Sequence, residues 1–227
     1  MQIDNIRTID VVDTRATNRV LRNTYFLLAL SLVPTVIGAM LGVSLNFTFF
    51  AGSPGLGFIA FMAIAFGFFY GIERTKNSAW GVALLLAFTF FMGLMMSRLL
   101  GVVLHMKGGG NMIALAFGGT SVIFFVMATL AGTIKRDISG MGKFLMIGAV
   151  IVILASFANI FLQIPALMLT ILVAVIGIFS AFMLYDINRI ITGGETNYIT
   201  ATLNIYLDIY NVFTSLLSLI GITSSND

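Results

Sequence analysis

Long apolar stretches alternate with short polar stretches along most of the chain. Each apolar stretch approaches or exceeds the twenty or so residues with which a helix crosses a bilayer about 30 Å thick. Polar or glycine-rich turns such as 73–77 and 108–110 separate them. The pattern predicts seven membrane-spanning helices, at about 23–43, 56–72, 79–104, 111–134, 144–162, 166–191 and 198–221.

Composition supports an all-α integral membrane protein. Apolar residues make up 59% of the chain and charged residues 9%, a balance that is unusual in soluble domains. There is no cysteine and only one histidine, His105, which excludes thiolate sites and imidazole clusters. We therefore predict no cofactor, and any bound metal ion would take oxygen ligands. The net charge of +3 reflects membrane topology, and we predict no nucleic-acid partner.

The basic residues predict the orientation of the helices in the membrane. Cytoplasmic loops carry an excess of Lys and Arg, and an N-terminus inside the cell puts ten basic residues on that side against Lys107 outside. We therefore predict a multi-pass protein of the cytoplasmic membrane with a cytoplasmic segment 1–22, a membrane domain 23–221 and a short external tail 222–227. The ten residues are Arg7, Arg15, Arg19, Arg22, Arg74, Lys76, Lys135, Arg136, Lys143 and Arg189.

The last predicted helix carries a polar stripe. Its polar residues are spaced by four, three and four positions, which places them on one face of an α-helix. Because an unsatisfied polar group in lipid costs several kcal/mol, this face must turn toward protein or trapped water. The last helix is therefore predicted to lie centrally in the bundle, with a polar lining beside its acid. The stripe consists of Asn204, Asp208, Asn211 and Ser215.

Asp186 and Asp208 are the main candidates for chemistry, because charged residues inside membrane spans are costly and usually functional. If their carboxyls meet, the two acids share a proton and titrate as a unit. Such a pair can sense protons or bind a cation such as Ca²⁺. In a purely structural alternative, Asp186 pairs with Arg189 and Asp208 hydrogen-bonds Asn204 or Asn211, so that each acid is satisfied locally.

Two arginines are candidate latch or gate residues. Arg74 is predicted at the cytoplasmic end of the second helix, on the same side as Asp186, where it could hold the acids closed. Arg98 is predicted toward the outer end of the third helix, where a long basic side chain can also reach the interface. Gly38 and Gly42 have the four-residue spacing of close helix contacts. The same spacing recurs in 67–71, and we expect both to serve contacts within the bundle.

Several motifs resemble the transmembrane Bax inhibitor motif (Bax inhibitor-1) family. The resemblance covers nearly the whole chain, and the hairpin is similar to the bacterial YccA-like branch. It implies seven helices around a central last helix, a pH-sensitive Ca²⁺ leak with an aspartate pair as proton sensor, and a latch arginine in the second helix. An alternative is a non-conducting protein that modulates the membrane-bound FtsH protease. The motifs are 184–186, 206–208, 211–213, 193–199, 20–26 and 158–163.

Two aspartates on consecutive helices also occur in intramembrane aspartyl proteases. That class has Gly-x-Gly before its second aspartate, where this chain has Tyr206 and Leu207. Its Pro-Ala-Leu motif follows both acids, whereas the motif at 165–167 precedes both. We therefore predict that the chain is not an enzyme.

The chain departs from the Bax inhibitor-1 pattern in its third predicted helix. Arg98 lies at a point where that pattern often has Gly-Pro.

Overall fold

The computed structural model describes residues 14–49, 54–134 and 136–224. Within them the chain forms seven α-helices and no strand, and each helix is long and apolar enough to cross a membrane. This confirms the predicted all-α membrane fold. Most of the segment 1–22, the tail residues 225–227 and Lys135 lie outside the described residues. The helices are α1 Thr14–Ser44, α2 Pro54–Thr75, α3 Ala79–Leu104, α4 Gly109–Thr133, α5 Met141–Leu162, α6 Pro165–Ile191 and α7 Tyr198–Ser224.

The last helix lies at the centre of the bundle, as predicted. It contacts α1, α2, α3, α4 and α6. None of its side chains from Tyr198 to Ile222 is exposed. In contrast, α5 is peripheral and packs chiefly against α6, with most of its apolar side chains facing outward. Protein surrounds α7 on nearly every side. The helix that carries the polar stripe is therefore the central one.

Glycines allow α1 and α3 to approach each other closely. A Cβ atom at Gly38 would overlap the carbonyl oxygen of Phe90, and a Cβ at Gly93 would overlap the carbonyl oxygen of Thr35. A Cβ at Gly42 would collide with the side chain of Ser97. The predicted contact role of the 38–42 pair is confirmed. The evidence for a close helix contact at the second pair, 67–71, is weaker, because an added Cβ at Gly67 would have no neighbour within 4 Å.

The first helix begins earlier than its apolar window. We expected a span from about residue 23, but α1 starts at Thr14 and includes Arg15, Arg19 and Arg22. Hydrophobicity marks where a helix meets lipid, whereas backbone hydrogen bonds continue the helix into a polar environment at little cost. At about 1.5 Å per residue, α1 extends well beyond the hydrocarbon layer. Its N-terminal turns are therefore placed at the membrane surface.

A short hairpin joins α6 and α7 and brings their ends together. Pro165 occupies the first turn of α6, where its missing N–H is not needed. The helix ends at Ile191, and Gly193 then takes a left-handed conformation with φ of 79°, which favours glycine. The N–H of Glu195 donates to the carbonyl of Arg189 at 3.0 Å and closes the turn. The two helices that carry the acids are thus held side by side.

Candidate functional site

The carboxyls of Asp186 and Asp208 meet between α6 and α7. The two groups lie within hydrogen-bonding distance of each other. Their residues are only 8% and 4% exposed. Oδ2 of Asp208 is buried, and no N–H or hydroxyl group of the described residues donates to it. The structure therefore brings the two predicted acids together.

The described structure shows neither an ion pair between Asp186 and Arg189 nor a hydrogen bond from Asn211 to Asp208, the local pairings of the structural alternative. The guanidinium of Arg189 donates to the carbonyl of Gly194 at 3.2 Å and lies 3.9 Å from the carboxylate of Glu195. No ion pair between Arg189 and Asp186 occurs in the described part of the chain. Asn211 donates to the carbonyl of Leu207 in its own helix at 2.8 Å. The acids are instead partners of each other.

Among the described residues, Arg189 is the basic residue whose charge acts on Asp186. It is close enough to Asp186 for direct electrostatic influence, and it also stacks on the ring of Tyr185, with 5.6 Å from its guanidinium carbon to the ring centroid. It follows Asp186 by three positions, which puts both residues on one face of α6. The sequence showed this spacing, but it did not show that Arg189 would be turned toward the hairpin.

The structure does not bring the two predicted latch arginines to the acids. Arg74 is exposed near the end of α2 and contacts Tyr70, whose hydroxyl lies 3.2 Å from its Nε. Arg98 is exposed on α3, about 28 Å along the axis from the end that adjoins the hairpin. Asp208 is only about 15 Å from that end. A contact of either arginine with the pair is therefore absent from the described structure.

The predicted polar lining does not border either of two cavities between α1 and α4. Asn204 and Asn211 are half-buried and Ser215 is buried, all on the face of α7 that carries Asp208. The cavities, of about 570 and 620 Å³, lie between α1 and α4 instead, and none of these residues lines them. These polar residues therefore lie outside both of these cavities.

Asn197 clamps the start of α7 to the loop between α2 and α3. Its side-chain oxygen accepts hydrogen bonds from the N–H groups of Ile199 at 2.9 Å and Thr200 at 3.2 Å, so it caps the helix. Its amide donates to the carbonyl of Lys76 at 3.0 Å and to the side chain of Asn77 at 2.9 Å. The cap was not predicted, although an Asn directly before an apolar helix is a capping signal that the sequence contains.

Asn188 makes a second clamp, to the loop between α4 and α5. Its side chain is fully buried. Its amide donates to the carbonyls of Ile134 at 3.1 Å and Arg136 at 3.4 Å, and its oxygen accepts from the N–H of Ile138 at 3.4 Å. In that loop, hydrogen bonds from Ser139 lower the pKa of Asp137 below its usual value. Both clamps lie on the hairpin side of the acids.

Asn197→Ala is expected to lower the free energy of unfolding by about 1–2 kcal/mol, the usual cost of losing a helix cap. It should also release the loop between α2 and α3, since the same side chain holds both. Thermal unfolding in detergent and limited proteolysis of that loop measure the two effects. Thr196→Ala, at an exposed neighbouring position, is the matched control. Equal behaviour of the two variants would contradict the clamp.

A second polar face of α7 was not predicted. The hydroxyl of Tyr206 lies 2.9 Å from that of Thr35 on α1 and donates to the carbonyl of Thr89 on α3 at 3.4 Å. One turn later, the hydroxyl of Tyr210 donates to the carbonyl of Met92 at 3.2 Å. Tyrosine counts as apolar in a hydrophobicity pattern, which hides its hydroxyl. The contact with α1 and α3 is thus partly polar.

Comparison with known proteins places this architecture in a family. A sequence model described as "Inhibitor of apoptosis-promoting Bax1" matches residues 17–225. The chain is 41% identical to the "Modulator of FtsH protease YccA" of Escherichia coli K12, with 92% of each protein covered. In a second Escherichia coli strain, that relative is named an inner membrane protein. A membrane protein of Vibrio cholerae is 38% identical over 97% of each chain. Since both the family model and relatives of this similarity extend over almost the entire chain, it belongs to the Bax inhibitor-1 family of membrane proteins.

Proposed function

We propose that this protein lets cations, chiefly Ca²⁺, pass the bacterial inner membrane under proton control, with Asp186 and Asp208 as the sensor. The contact of two buried carboxyls is the observation that supports this proposal most directly. Two like charges at this separation repel strongly in a medium of low dielectric constant. The pair therefore holds one proton between its members, and loss of that proton either separates α6 from α7 or creates a site for a cation.

The oxygen ligands near the pair favour brief binding of a passing cation over tight, long-lived binding. Among the described residues, no group of three or more His, Cys, Asp or Glu side chains could hold a metal ion together. Ca²⁺ takes about six to eight oxygen ligands. Two carboxylates supply at most about four, so water and backbone carbonyls must complete the shell. A site of this kind binds weakly, which permits rapid release.

Calcium flux into liposomes tests the proposal. Purified protein is reconstituted with a calcium-sensitive dye inside, and influx is recorded across a series of pH values. We expect influx above that of protein-free liposomes, with a rate that changes as the pair gains or loses its proton. Folded protein that passes no cation at any pH would overturn the conduction proposal.

The second candidate function is modulation of the FtsH protease. It rests on the name of the Escherichia coli relative at 41% identity, and it requires no ion flux. Co-purification with membrane-bound FtsH, together with turnover of an FtsH substrate with and without this protein, tests it. Modulation that persists in the double variant Asp186→Asn/Asp208→Asn would separate the two functions, because only conduction depends on the pair.

Arg189→Gln is expected to move the midpoint of the flux–pH curve upward. Removal of a nearby positive charge favours the protonated form of the pair, and Arg189 is the cation close to Asp186. Arg74→Gln and Arg98→Gln remove equal charge at exposed positions away from the acids and serve as controls. A shift in the Arg74 variant alone would restore the latch role predicted from its position in the chain.

The orientation of the chain is tested by reporter fusions. Basic residues concentrate on the side of the N-terminus, so a fusion after Arg136 should report the cytoplasm and a fusion after Asp227 the outside. The seven helices agree with opposite locations of the two ends. A cytoplasmic reporter at both positions would contradict the predicted topology.

A further inference from the structure

One of the cavities of the bundle opens toward lipid on one side. A cavity of about 570 Å³ lies between α1 and α4, with α7 as its floor. We call it the α1–α4 groove; Leu28, Leu32 and Val36 form its α1 wall, and Phe117 and Phe124 its α4 wall. Val36 and Phe117 are more than half exposed. Lipid therefore has direct access to the groove from the side.

The length of the groove matches one leaflet of a bilayer. Along α1 its lining runs from Tyr25 to Val36, which corresponds to about 16 Å at 1.5 Å per residue. The hydrocarbon layer of a bilayer is about 30 Å thick, so each leaflet contributes about half of that. A single acyl chain that enters from the N-terminal side would reach the inner end of the groove.

The groove is chemically suited to hydrocarbon. Two hydroxyl groups on its α4 wall make their hydrogen bonds inside the protein: Thr120 donates to the carbonyl of Ala116 at 2.8 Å, and Ser121 donates to the carbonyl of Phe117 at 2.8 Å. The hydroxyl of Tyr210 likewise donates to a carbonyl of α3. The remaining lining is aliphatic or aromatic. An occupant therefore needs no polar groups within the groove.

The groove is too narrow at one end for a helix from another protein. The rings of Tyr25 and Phe124 join α1 to α4, with their centroids 6.0 Å apart. A helix with side chains is about 10–12 Å wide, so it would have to break this contact. An acyl chain lies over the two rings without moving them. The geometry favours a lipid chain as the occupant.

A basic residue stands where a headgroup would lie. Arg22 precedes Ala29 and Val36 by seven and fourteen positions, so all three share one side of α1. Arg22 is exposed and makes no hydrogen bond or ion pair within the described residues. Helix α1 contains no acid at all. Arg22 lies about one helical turn nearer the membrane surface than Tyr25, where the groove begins.

We propose that the α1–α4 groove is a binding site for an anionic phospholipid of the leaflet on the N-terminal side. One acyl chain occupies the groove, and the phosphate pairs with the guanidinium of Arg22, which matches phosphate geometry. Each juxtamembrane basic residue increases the affinity for anionic lipid about fivefold. The site does not depend on whether the protein conducts ions.

Fluorescence quenching by brominated lipids tests this site. The chain has one tryptophan, Trp80, so the variant Trp80→Phe/Ala29→Trp carries its probe in the groove. An Ile147→Trp probe on the exposed face of α5 reports ordinary surrounding lipid. We expect brominated phosphatidylglycerol to outcompete brominated phosphatidylcholine about fivefold at the Ala29→Trp probe. The Ile147→Trp probe should discriminate much less between the two lipids.

Charge variants decide the role of Arg22. Arg22→Gln should reduce the preference at the Ala29→Trp probe to that at the Ile147→Trp probe. Lys143→Gln, on peripheral α5, removes the same charge away from the groove and should leave the preference intact. Equal preference at both probes, or a preference that survives Arg22→Gln, would overturn the proposal.

Native mass spectrometry of chains without a tryptophan probe gives a second measurement in case the probes disturb folding. Unaltered protein released from detergent should retain phosphatidylglycerol, and Arg22→Gln should lose it. Retention to the same extent in the unaltered protein and the Arg22→Gln variant would count against the site.

Discussion

Asp208→Asn and Asp186→Asn are each expected to make calcium flux nearly independent of pH. Both acids are buried and in contact, so one proton shared between them governs the charge at this interface. Asn preserves the size and hydrogen bonding of the side chain but removes the titration. The measurement is dye-monitored influx into liposomes at matched protein content, repeated for each variant across the pH range.

Glu73→Gln is the matched control for these variants. Glu73 is exposed near the end of α2 and pairs with Lys76, so its replacement removes one carboxylate far from the sensor. We expect its flux to respond to pH as the unaltered protein does. An unchanged pH response in both aspartate variants would reduce Asp186 and Asp208 to structural polar residues.

The double variant Asp186→Asn/Asp208→Asn tests whether the acids act as a unit. Residues in direct contact show strongly non-additive effects in double-mutant cycles. If the proton is shared, the second substitution should add little to the loss caused by the first. Additive losses would instead indicate two independent titrating groups.

Gly93→Ala is expected to destabilise the bundle strongly, although it adds only one methyl group. The added Cβ would overlap the carbonyl oxygen of Thr35, and it would also lie 3.0 Å from the backbone nitrogen of Ala39. Both neighbours are backbone atoms of α1, so a side-chain rotation cannot relieve the overlap. Thr35 also contacts the hydroxyl of Tyr206, so a shift of α1 would reach the central helix. We expect a loss of at least about 2–3 kcal/mol.

Thermal unfolding in detergent measures this loss, with Gly118→Ala as the control. Gly118 lies in the middle of α4, and an added Cβ there has no neighbour within 4 Å. Alanine favours a helix over glycine by about 1 kcal/mol, so this variant should be as stable as the unaltered protein or more stable. Similar melting temperatures for both variants would refute close contact between α1 and α3.

Some elements could be predicted because local sequence determines them. The bounds of α3, residues 79–104, agree with its apolar window. The nearness of the two acids was also predictable, because a short hairpin forces consecutive helices to lie side by side and each of these helices carries one acid. Whether their carboxyls meet remained open from the sequence. Asp186 and Asp208 needed no knowledge of distant parts of the chain to be brought near each other.

Other elements depended on contacts between residues far apart in the chain. Asn197 binds a loop about 120 positions earlier, and Asn188 binds one about 50 positions earlier. Tyr206 meets Thr35 across 171 positions. No periodicity within a single helix contains such pairs, because they arise only when the bundle assembles. The placement of Arg74 and Arg98 away from the pair could not be predicted for the same reason, since depth along a helix does not specify the direction in which a side chain points.

The sequence by itself determined that this protein is a membrane bundle of seven helices with a polar last helix at its centre. The physical reason is the cost of unsatisfied polar groups in lipid, which acts on each segment independently. Only the tertiary structure decided which basic residue lies near Asp186, which loops α6 and α7 hold, and where the cavities open. Those features depend on the rotation and spacing of neighbouring helices, which are set by contacts such as those of Gly93 and Tyr206.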